Sequence, residues 1–328
     1  MFKDLNLVKR YKDNPILSKK DIPFKADLIF NAGVTKYHGI YYMIFRNDYK
    51  GTPCDSVGLA GTNLGLAKSK DGLHWIVDKK TRFVLQDNEI KRIYDPRLQV
   101  INDEIYMCFA CDTKHGIRGG IGKLDKSFKK LKVISLTTPD NRNMVLFPEK
   151  INGKYVRLER PFPVYSRGGE YFDIWMSDSS DLKYWGNSKL VLGAEKVKFS
   201  NAKIGPGTPP IKTKYGWLCL FHAVELDPTR GKNGWEKKWQ KIYYVGVMLL
   251  DLKNPSKVIG YYNKPLMSPS MPYERKNGYR NDVIFPGGLI LEKNGKVKIY
   301  YGAADTVECV AFSTVDDLVK LCLKANIK

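Results

Sequence analysis

A set of three strand-like segments recurs five times along this 328-residue chain, and that repetition constrains its fold more than any other feature. One member of each set ends at a conspicuous residue: "YYMIFR" at Arg46, "IYMCFA" at Ala110, "YVRLER" at Arg160, "WLCLFH" at His222 and "VKIYYG" at Gly302. Before it comes a strand with a small or proline-rich beginning, "FNAGV", "YDPRL", "LFPEK", "GPGTPP" or "IFPGG". After it comes a third, such as "LGLAKSKDGLHW" or "FDIWMSDSSDLKYW". The segments are short, alternate in polarity and are punctuated by Gly, Pro, Asn and Asp, which signals strands. A triplet of antiparallel strands repeated in the same order, with a period of about 50 to 70 residues, is the signature of a β-propeller. The expectation is an all-β, five-bladed β-propeller forming one domain over residues 1–328, closed by a short C-terminal helix in "DDLVKLCLKANIK".

"LFPEKINGKYVRLERP", residues 146–161, reads as two strands joined by a tight turn at Asn152-Gly153. Its second strand ends in Glu159 and Arg160, where a buried strand should carry valine or leucine. In a propeller the innermost strands line a central channel whose mouth gathers residues from every blade. Arg46, Arg160 and His222 stand at equivalent positions of blades one, three and four, so the repeat places them on one wall of a funnel. A wall of that kind binds something anionic.

With 43% hydrophobic residues the chain can bury a sizeable core, which excludes the disordered class. No apolar run approaches the ~20 residues of a membrane span. The first residues, "MFKDLNLVKRYKDNPIL", lack the apolar run of a signal peptide. Together with six cysteines used as in a reducing compartment, this leads us to expect a cytoplasmic protein. Cys108 and Cys111 form a C-x-x-C inside a strand, where residues three apart face opposite ways, so they read as two packed thiols.

The formal charge of +21 raises nucleic acid as a partner. The lysines, however, are scattered in runs no longer than pairs such as Lys19-Lys20 and Lys79-Lys80, with no basic helix or arginine-rich arm. A solvated lysine-rich surface that attracts anions in general accounts for them. Neither nucleic acid nor membrane is expected as a partner. No metal-ligand spacing or nucleotide fingerprint is visible, so no metal and no cofactor is expected.

Within the repeat, Asp95 of "YDPRLQV" precedes a proline that restricts it to extended geometry. That arrangement fits an aimed carboxylate as well as it fits an Asx turn. Asn31 matches it in blade one, and Asp305 of "YYGAADT" supplies a second carboxylate to the same mouth. Arg142 and Lys203 belong with Arg160 and His222 to blades three and four. Four such groups on one side of a funnel repel one another unless an anion sits among them. Trp75 and Trp185 recur at one blade position, which points to packing between blades. Glu149 has Lys150 and Arg142 as candidate partners.

At these motifs the chain resembles the mannoside phosphorylases of glycoside hydrolase family 130. "NPIL", "FNAGV", "YDPR", "NRNMVLFPEKINGKYVRLERP", "KIGPGTPP", "FHAV", "VMLLDLKNP" and "GAADT" stand in family order across nearly the whole length. The resemblance implies a five-bladed propeller that cleaves β-mannosides with inorganic phosphate as co-substrate, releasing α-mannose 1-phosphate with inversion. It implies Asp95 as proton donor, acting through the mannosyl 3-hydroxyl, and Asn31, Arg46 and Asp305 as holders of the mannosyl unit. It implies Arg142, Arg160, Lys203, His222 and Tyr243 as the phosphate site. Ala32 stands where some members have serine, which removes one sugar contact, and the segment 225–242 is long enough to reshape the acceptor end. The chemistry agrees: an inverting hydrolase needs a second carboxylate to activate water, whereas a phosphorylase needs a cationic cradle to aim an anionic nucleophile. A β-mannoside hydrolase on the same fold and a non-catalytic sugar-binding propeller are the alternatives. Linkage, acceptor and the existence of a homo-oligomer stay open.

Overall fold

The computed structural model describes residues 2, 5–50, 59–163, 171–230 and 239–324. Five antiparallel sheets follow one another along the chain. The N-terminal strand β1 (Lys9–Arg10) precedes blade one, made of β2 (Leu28–Tyr37), β3 (Ile40–Lys50), β4 (Leu59–Ser69) and β5 (Ile76–Phe83). Blade two comprises β6 (Ile90–Ile101), β7 (Glu104–Thr113), β8 (Gly116–Leu124) and β9 (Leu131–Leu136). Blade three comprises β10 (Asn141–Leu146), β11 (Tyr155–Pro161), β12 (Ile174–Ser179) and β13 (Gly186–Leu192). Blade four holds β14 (Lys203–Pro206), β15 (Ile211–Lys212), β16 (Trp217–Leu226), β17 (Lys241–Leu250) and β18 (Val258–Tyr261). A four-residue helix, α1 (Pro272–Arg275), leads to blade five: β19 (Ile284–Leu291), β20 (Lys296–Ala303) and β21 (Val307–Thr314).

The ring is closed by the chain's own beginning. β1 pairs with β21 as the outermost strand of blade five, Lys9 opposite Phe312. Arg10 fixes it there by an ion pair to the fully buried Glu274 at 2.6 Å. The C-terminal helix α2 (Val315–Lys324) follows β21 directly. Thr314 caps it by accepting from the Asp317 amide and donating to the Asp317 carboxylate. Its buried face, Leu318, Val319 and Cys322, joins the core between blades four and five.

The core is divided by blade interface, which explains why the central strands read as unbroken apolar runs: both faces of each blade are covered. Ile44, Leu64 and Leu66 of blade one pack with Leu98, Met107 and Cys111 of blade two. Cys108, on the other face of β7, packs instead with Met144 and Leu146 of blade three. The two thiols of the C-x-x-C thus lie in different interfaces, as alternation requires, and burial pushes each up to about 12. Trp75 meets Tyr300 of blade five edge-on at 6.0 Å, and Trp185 packs with Ile101 and Tyr106 of blade two. Both recurring tryptophans therefore seal blade interfaces. No helix among the described residues is long and apolar enough to cross a membrane.

Three local expectations need correction. The strands carrying Arg46, Arg160 and His222 do not end there, running on to Lys50, Pro161 and Leu226, and they are the second strands of their blades, not the innermost; β2, β6, β10, β14 and β19 stand first in their blades around the axis. The hairpin turn at Asn152-Gly153 is present, with φ of 51° and 77°. Its first strand, however, ends at Leu146, and Phe147 to Lys150 connect it irregularly to the turn. Glu149 pairs with neither Lys150 nor Arg142 but with Lys212 of blade four, at 2.6 Å.

Candidate active site

The equivalence of Arg46, Arg160 and His222 is a matter of register. Arg46 lies opposite Phe30, Arg160 opposite Arg142, and His222 opposite Gly205, each at the same end of its inner strand. At that level the inner strand of blades one, two and three bulges between Phe30 and Gly33, Tyr94 and Arg97, and Arg142 and Val145. Asn31, Asp95 and Asn143 occupy these bulges with φ of 52°, 52° and 59°. The extended geometry expected for Asp95 is thus overturned: the bulge holds it in the left-handed region despite the following proline. Bulges re-aim side chains, and here they turn three polar groups into one cavity. All nine residues singled out in the sequence line it: Asn31, Arg46, Asp95, Arg142, Arg160, Lys203, His222, Tyr243 and Asp305.

One side of the cavity is built on carboxylates. Asn31 Nδ2 and Arg46 Nη1 both donate to Asp95 Oδ1, at 3.1 and 3.2 Å. Arg46 is itself held by Asp48, Nη2 to Oδ2 at 2.6 Å, and lies over the rings of Phe30 and Tyr94. Burial alone would raise the Asp95 carboxyl, but Arg46, then Arg97, the Asn31 bond and Arg142 outweigh it and hold it below the usual carboxylate range. Asp305 goes the other way. Burial raises it and the Asp95 charge adds to that, against Arg280, whose Nη1 donates to Asp305 Oδ2 at 3.1 Å, and Arg46. Two carboxylates in one pocket are therefore shifted in opposite directions.

The other side is cationic. Arg160 is 1% exposed, and among the described residues its Nε and Nη2 have no hydrogen-bond partner; the same holds for Arg142 Nε and both ring nitrogens of His222. Among the described residues no carboxylate pairs with Arg160, whose guanidinium burial and Arg142 push down to about 9, leaving it charged at neutral pH. Lys203 and His222 are driven below their ordinary values by burial and then by Arg160. His222 stacks on Tyr243, ring centres 6.1 Å apart, and meets the tilted ring of Phe285 at 4.7 Å. Burial pushes the Tyr243 phenol up to about 12, so it stays a donor. Unpartnered buried polar groups are rare in folded proteins; three guanidinium nitrogens of Arg142 and Arg160 and the single N–H of a neutral His222 around one hollow form a cradle for an anion.

Tyr94, Trp239 and Arg280 also line the cavity and were not singled out in the sequence. Trp239 stacks on Tyr243 at 5.8 Å, and Arg280 lies over its ring at 4.8 Å. Of the segment 225–242 proposed to reshape the acceptor end, residues 231–238 lie outside the described residues. Its flanks are fixed: Arg230 pairs with Asp282, and Trp239 Nε1 donates to the Asn281 carbonyl at 3.1 Å. Among the described residues no group of three or more His, Cys, Asp or Glu side chains is arranged to hold a metal ion.

A family model described as beta-1,4-mannooligosaccharide phosphorylase, that of glycoside hydrolase family 130, matches residues 4–324. The chain belongs to glycoside hydrolase family 130. It is 33% identical over 320 residues to the 1,2-beta-oligomannan phosphorylase of Thermoanaerobacter sp. (strain X514), covering 95% of this chain and 98% of that protein. It is 34% identical over 327 residues to the beta-1,4-mannooligosaccharide phosphorylase of Ruminococcus albus, covering 96% and 90%. Among solved structures, the beta-1,2-mannobiose phosphorylase of Listeria innocua in complex with beta-1,2-mannobiose superposes with a TM-score of 0.82 at 26% identity, over 97% of this chain and 99% of that one. The five-bladed propeller is thus the fold of a family 130 member. The two relatives named for different linkages match this chain equally well, so overall similarity within the family does not select a linkage.

Proposed function

We propose that this family 130 protein is an inverting β-mannoside phosphorylase that transfers a mannosyl unit to inorganic phosphate. The observation that carries this reading is the cluster of unpartnered, buried donors on Arg142, Arg160 and His222 facing the carboxylate of Asp95 across one cavity. A phosphate dianion in that cradle would satisfy donors that nothing among the described residues satisfies, at the strength of charge-assisted bonds. Arg142, Arg160, Lys203, His222 and Tyr243 then bind phosphate, while Asn31, Arg46 and Asp305 bind the mannosyl unit beside Asp95.

In the reaction a phosphate oxygen forms a bond to C1 from the α face as the bond from C1 to the β-linked oxygen breaks. The leaving oxygen takes a proton from Asp95, relayed by the mannosyl 3-hydroxyl. In the free protein the cationic field holds Asp95 ionised. Bound phosphate offsets the fields of Arg142 and Arg160, raising Asp95 and allowing it to carry the proton the leaving group needs. In reverse, the same site would transfer mannose from mannose 1-phosphate to an acceptor, which is the sense in which the enzyme is a glycosyltransferase. All five described cysteines are unpaired thiols, which fits a cytoplasmic setting.

A hydrolase is the second reading, because Asp305 places another carboxylate in the same pocket. Incubating the protein with β-1,2- and β-1,4-mannobiose, with and without phosphate, separates the two. Mannose 1-phosphate formed only with phosphate supports phosphorolysis. Free mannose released at an undiminished rate without phosphate makes the protein a hydrolase.

A further inference from the structure

Arg97, the last residue of "YDPR", lies directly beneath the cavity without lining it. Asp95, two residues before it, faces the cavity, while Leu98 and Gln99 after it line a groove at the opposite mouth of the propeller. Arg97 therefore occupies the axis between the two mouths, and it is only 4% exposed. Among the described residues no carboxylate forms an ion pair with its guanidinium. It donates instead to backbone carbonyls from four blades: Asn31 at 3.4 Å, Pro96 at 2.7 Å, Gly207 at 2.5 Å and Pro286 at 3.1 Å. The inner strands close around it because their glycines permit the approach. A Cβ on Gly33 would meet the Pro96 carbonyl at 2.8 Å, and one on Gly287 the Ala32 carbonyl at 2.0 Å.

A buried cation held only by carbonyl dipoles is a costly way to fill a channel, since an apolar side chain of similar volume avoids the desolvation. Two of its four contacts explain the choice. The Asn31 carbonyl belongs to one left-handed bulge residue, and the Pro96 carbonyl immediately follows the other, Asp95. Both are non-glycine residues at a φ of 52°, a left-handed conformation that Asn and Asp tolerate but whose side-chain direction depends on where the bulge itself is held.

We propose that Arg97 is a positioning residue for the phosphorylase reaction: its guanidinium clamps the bulges of blades one and two together, so that Asn31 and Asp95 share one fixed geometry in the cavity. This rests on the phosphorylase reading above. The same charge contributes to the field that holds Asp95 below the ordinary carboxylate range, after Arg46. Clamp and charge can be separated, because lysine keeps the charge but cannot reach four carbonyls from one planar fork.

The test compares wild type, Arg97→Lys and Arg97→Met in steady-state phosphorolysis across pH, with phosphate affinity and melting temperature measured on the same preparations. Arg97→Lys should lose on the order of 10²-fold in kcat, the scale of a small misplacement. Its phosphate affinity should stay near wild type, because Arg97 is outside the cradle, and its high-pH limb should not move. Arg97→Met should lose similar activity and show that limb displaced to higher pH, since removing a neighbouring cation raises Asp95. Wild-type kcat in Arg97→Lys overturns the inference. So does a loss of kcat that only tracks the fraction unfolded, with the limb unmoved in both variants. If Arg97→Met does not fold, the kcat and affinity of Arg97→Lys decide alone. Absence of phosphate-dependent turnover in the wild type overturns the phosphorylase reading itself, and this inference with it.

Discussion

Arg46 Nη1 reaches Asp95 Oδ1 at 3.2 Å from the second strand of blade one, while Asp95 sits on the innermost strand of blade two. The bond crosses a blade interface, so the carboxylate is held by a residue whose own position Asp48 fixes at 2.6 Å. Asp95→Asn keeps the shape and leaves Arg46 paired with Asp48. The variant should therefore fold and bind phosphate, yet lose ~10²–10⁴-fold in turnover, the usual contribution of a general acid. Steady-state rates beside a calorimetric phosphate titration check this; near wild-type turnover removes Asp95 from the chemistry.

Glu308 lies wholly buried between blades one and five, accepting from the Ala32 amide at 3.2 Å with its Oε1 unpartnered. Burial raises its carboxyl to about 8, against the Ala32 bond and Arg97. The folded state therefore binds a proton that the unfolded state has released, in the window between the ordinary value of 4.5 and about 8. Stability supplied by this group is present at acid pH and lost as pH rises through that window. Glu308→Gln keeps the acceptor and removes the ionisation, so its advantage in melting temperature over wild type should grow from acid to alkaline pH. Parallel curves for the two proteins would show that Glu308 stays ionised in the fold.

The repeat was legible because every blade needs the same alternation and the same turns, and the fold followed from it. The site was legible only in part. Arg46, Arg160 and His222 stood out because a polar side chain interrupted an apolar strand run, and register made them equivalent. Proline after Asp95 argued for an extended backbone, but the bulge in β6, a tertiary feature of strands meeting at the axis, overrode that local preference. Arg97 went unread because an arginine in a strand looks like a surface charge until four blades are assembled around it. Trp239 and Arg280 lie in irregular segments with no counterpart in the other blades, so the repeat gave no frame in which to notice them.

Lys203 and His222 face the same cationic neighbours, Arg160 and Arg142, and burial drives both below their ordinary values. A bound phosphate dianion reverses that field and favours their charged forms. Phosphate binding should therefore take up protons from solution, and affinity should fall as pH rises. Calorimetry at about pH 8 in two buffers of different ionisation enthalpy measures the uptake directly, with a slope of up to about one log unit of affinity per pH unit for each proton linked. Equal heats in the two buffers, together with pH-independent affinity for the dianion, would show that the cradle is already fully charged when empty.

Arg160 tests the cradle from the side of stability as well as of binding. It is 1% exposed, has two nitrogens without partners and pairs with no carboxylate among the described residues. In the free protein its charge is thus a cost, and replacing such a buried charge by an apolar side chain is often neutral or stabilising by about 1–4 kcal/mol. Arg160→Met should melt at or above the wild-type temperature without phosphate. With phosphate the order should reverse, because wild type gains a ligand that the variant holds poorly. A lost charge-assisted bond contributes about 1.5–3 kcal/mol, so the Michaelis constant for phosphate should rise roughly 10- to 150-fold. Mannoside affinity should change little. Arg160→Lys should recover only part of the loss, since a point charge does not reproduce a two-pronged guanidinium. Thermal melts across a phosphate series, with kinetics at saturating mannoside, provide the measurement. A variant less stable than wild type in both conditions, with phosphate kinetics intact, would make Arg160 a structural strand end and place the anion elsewhere.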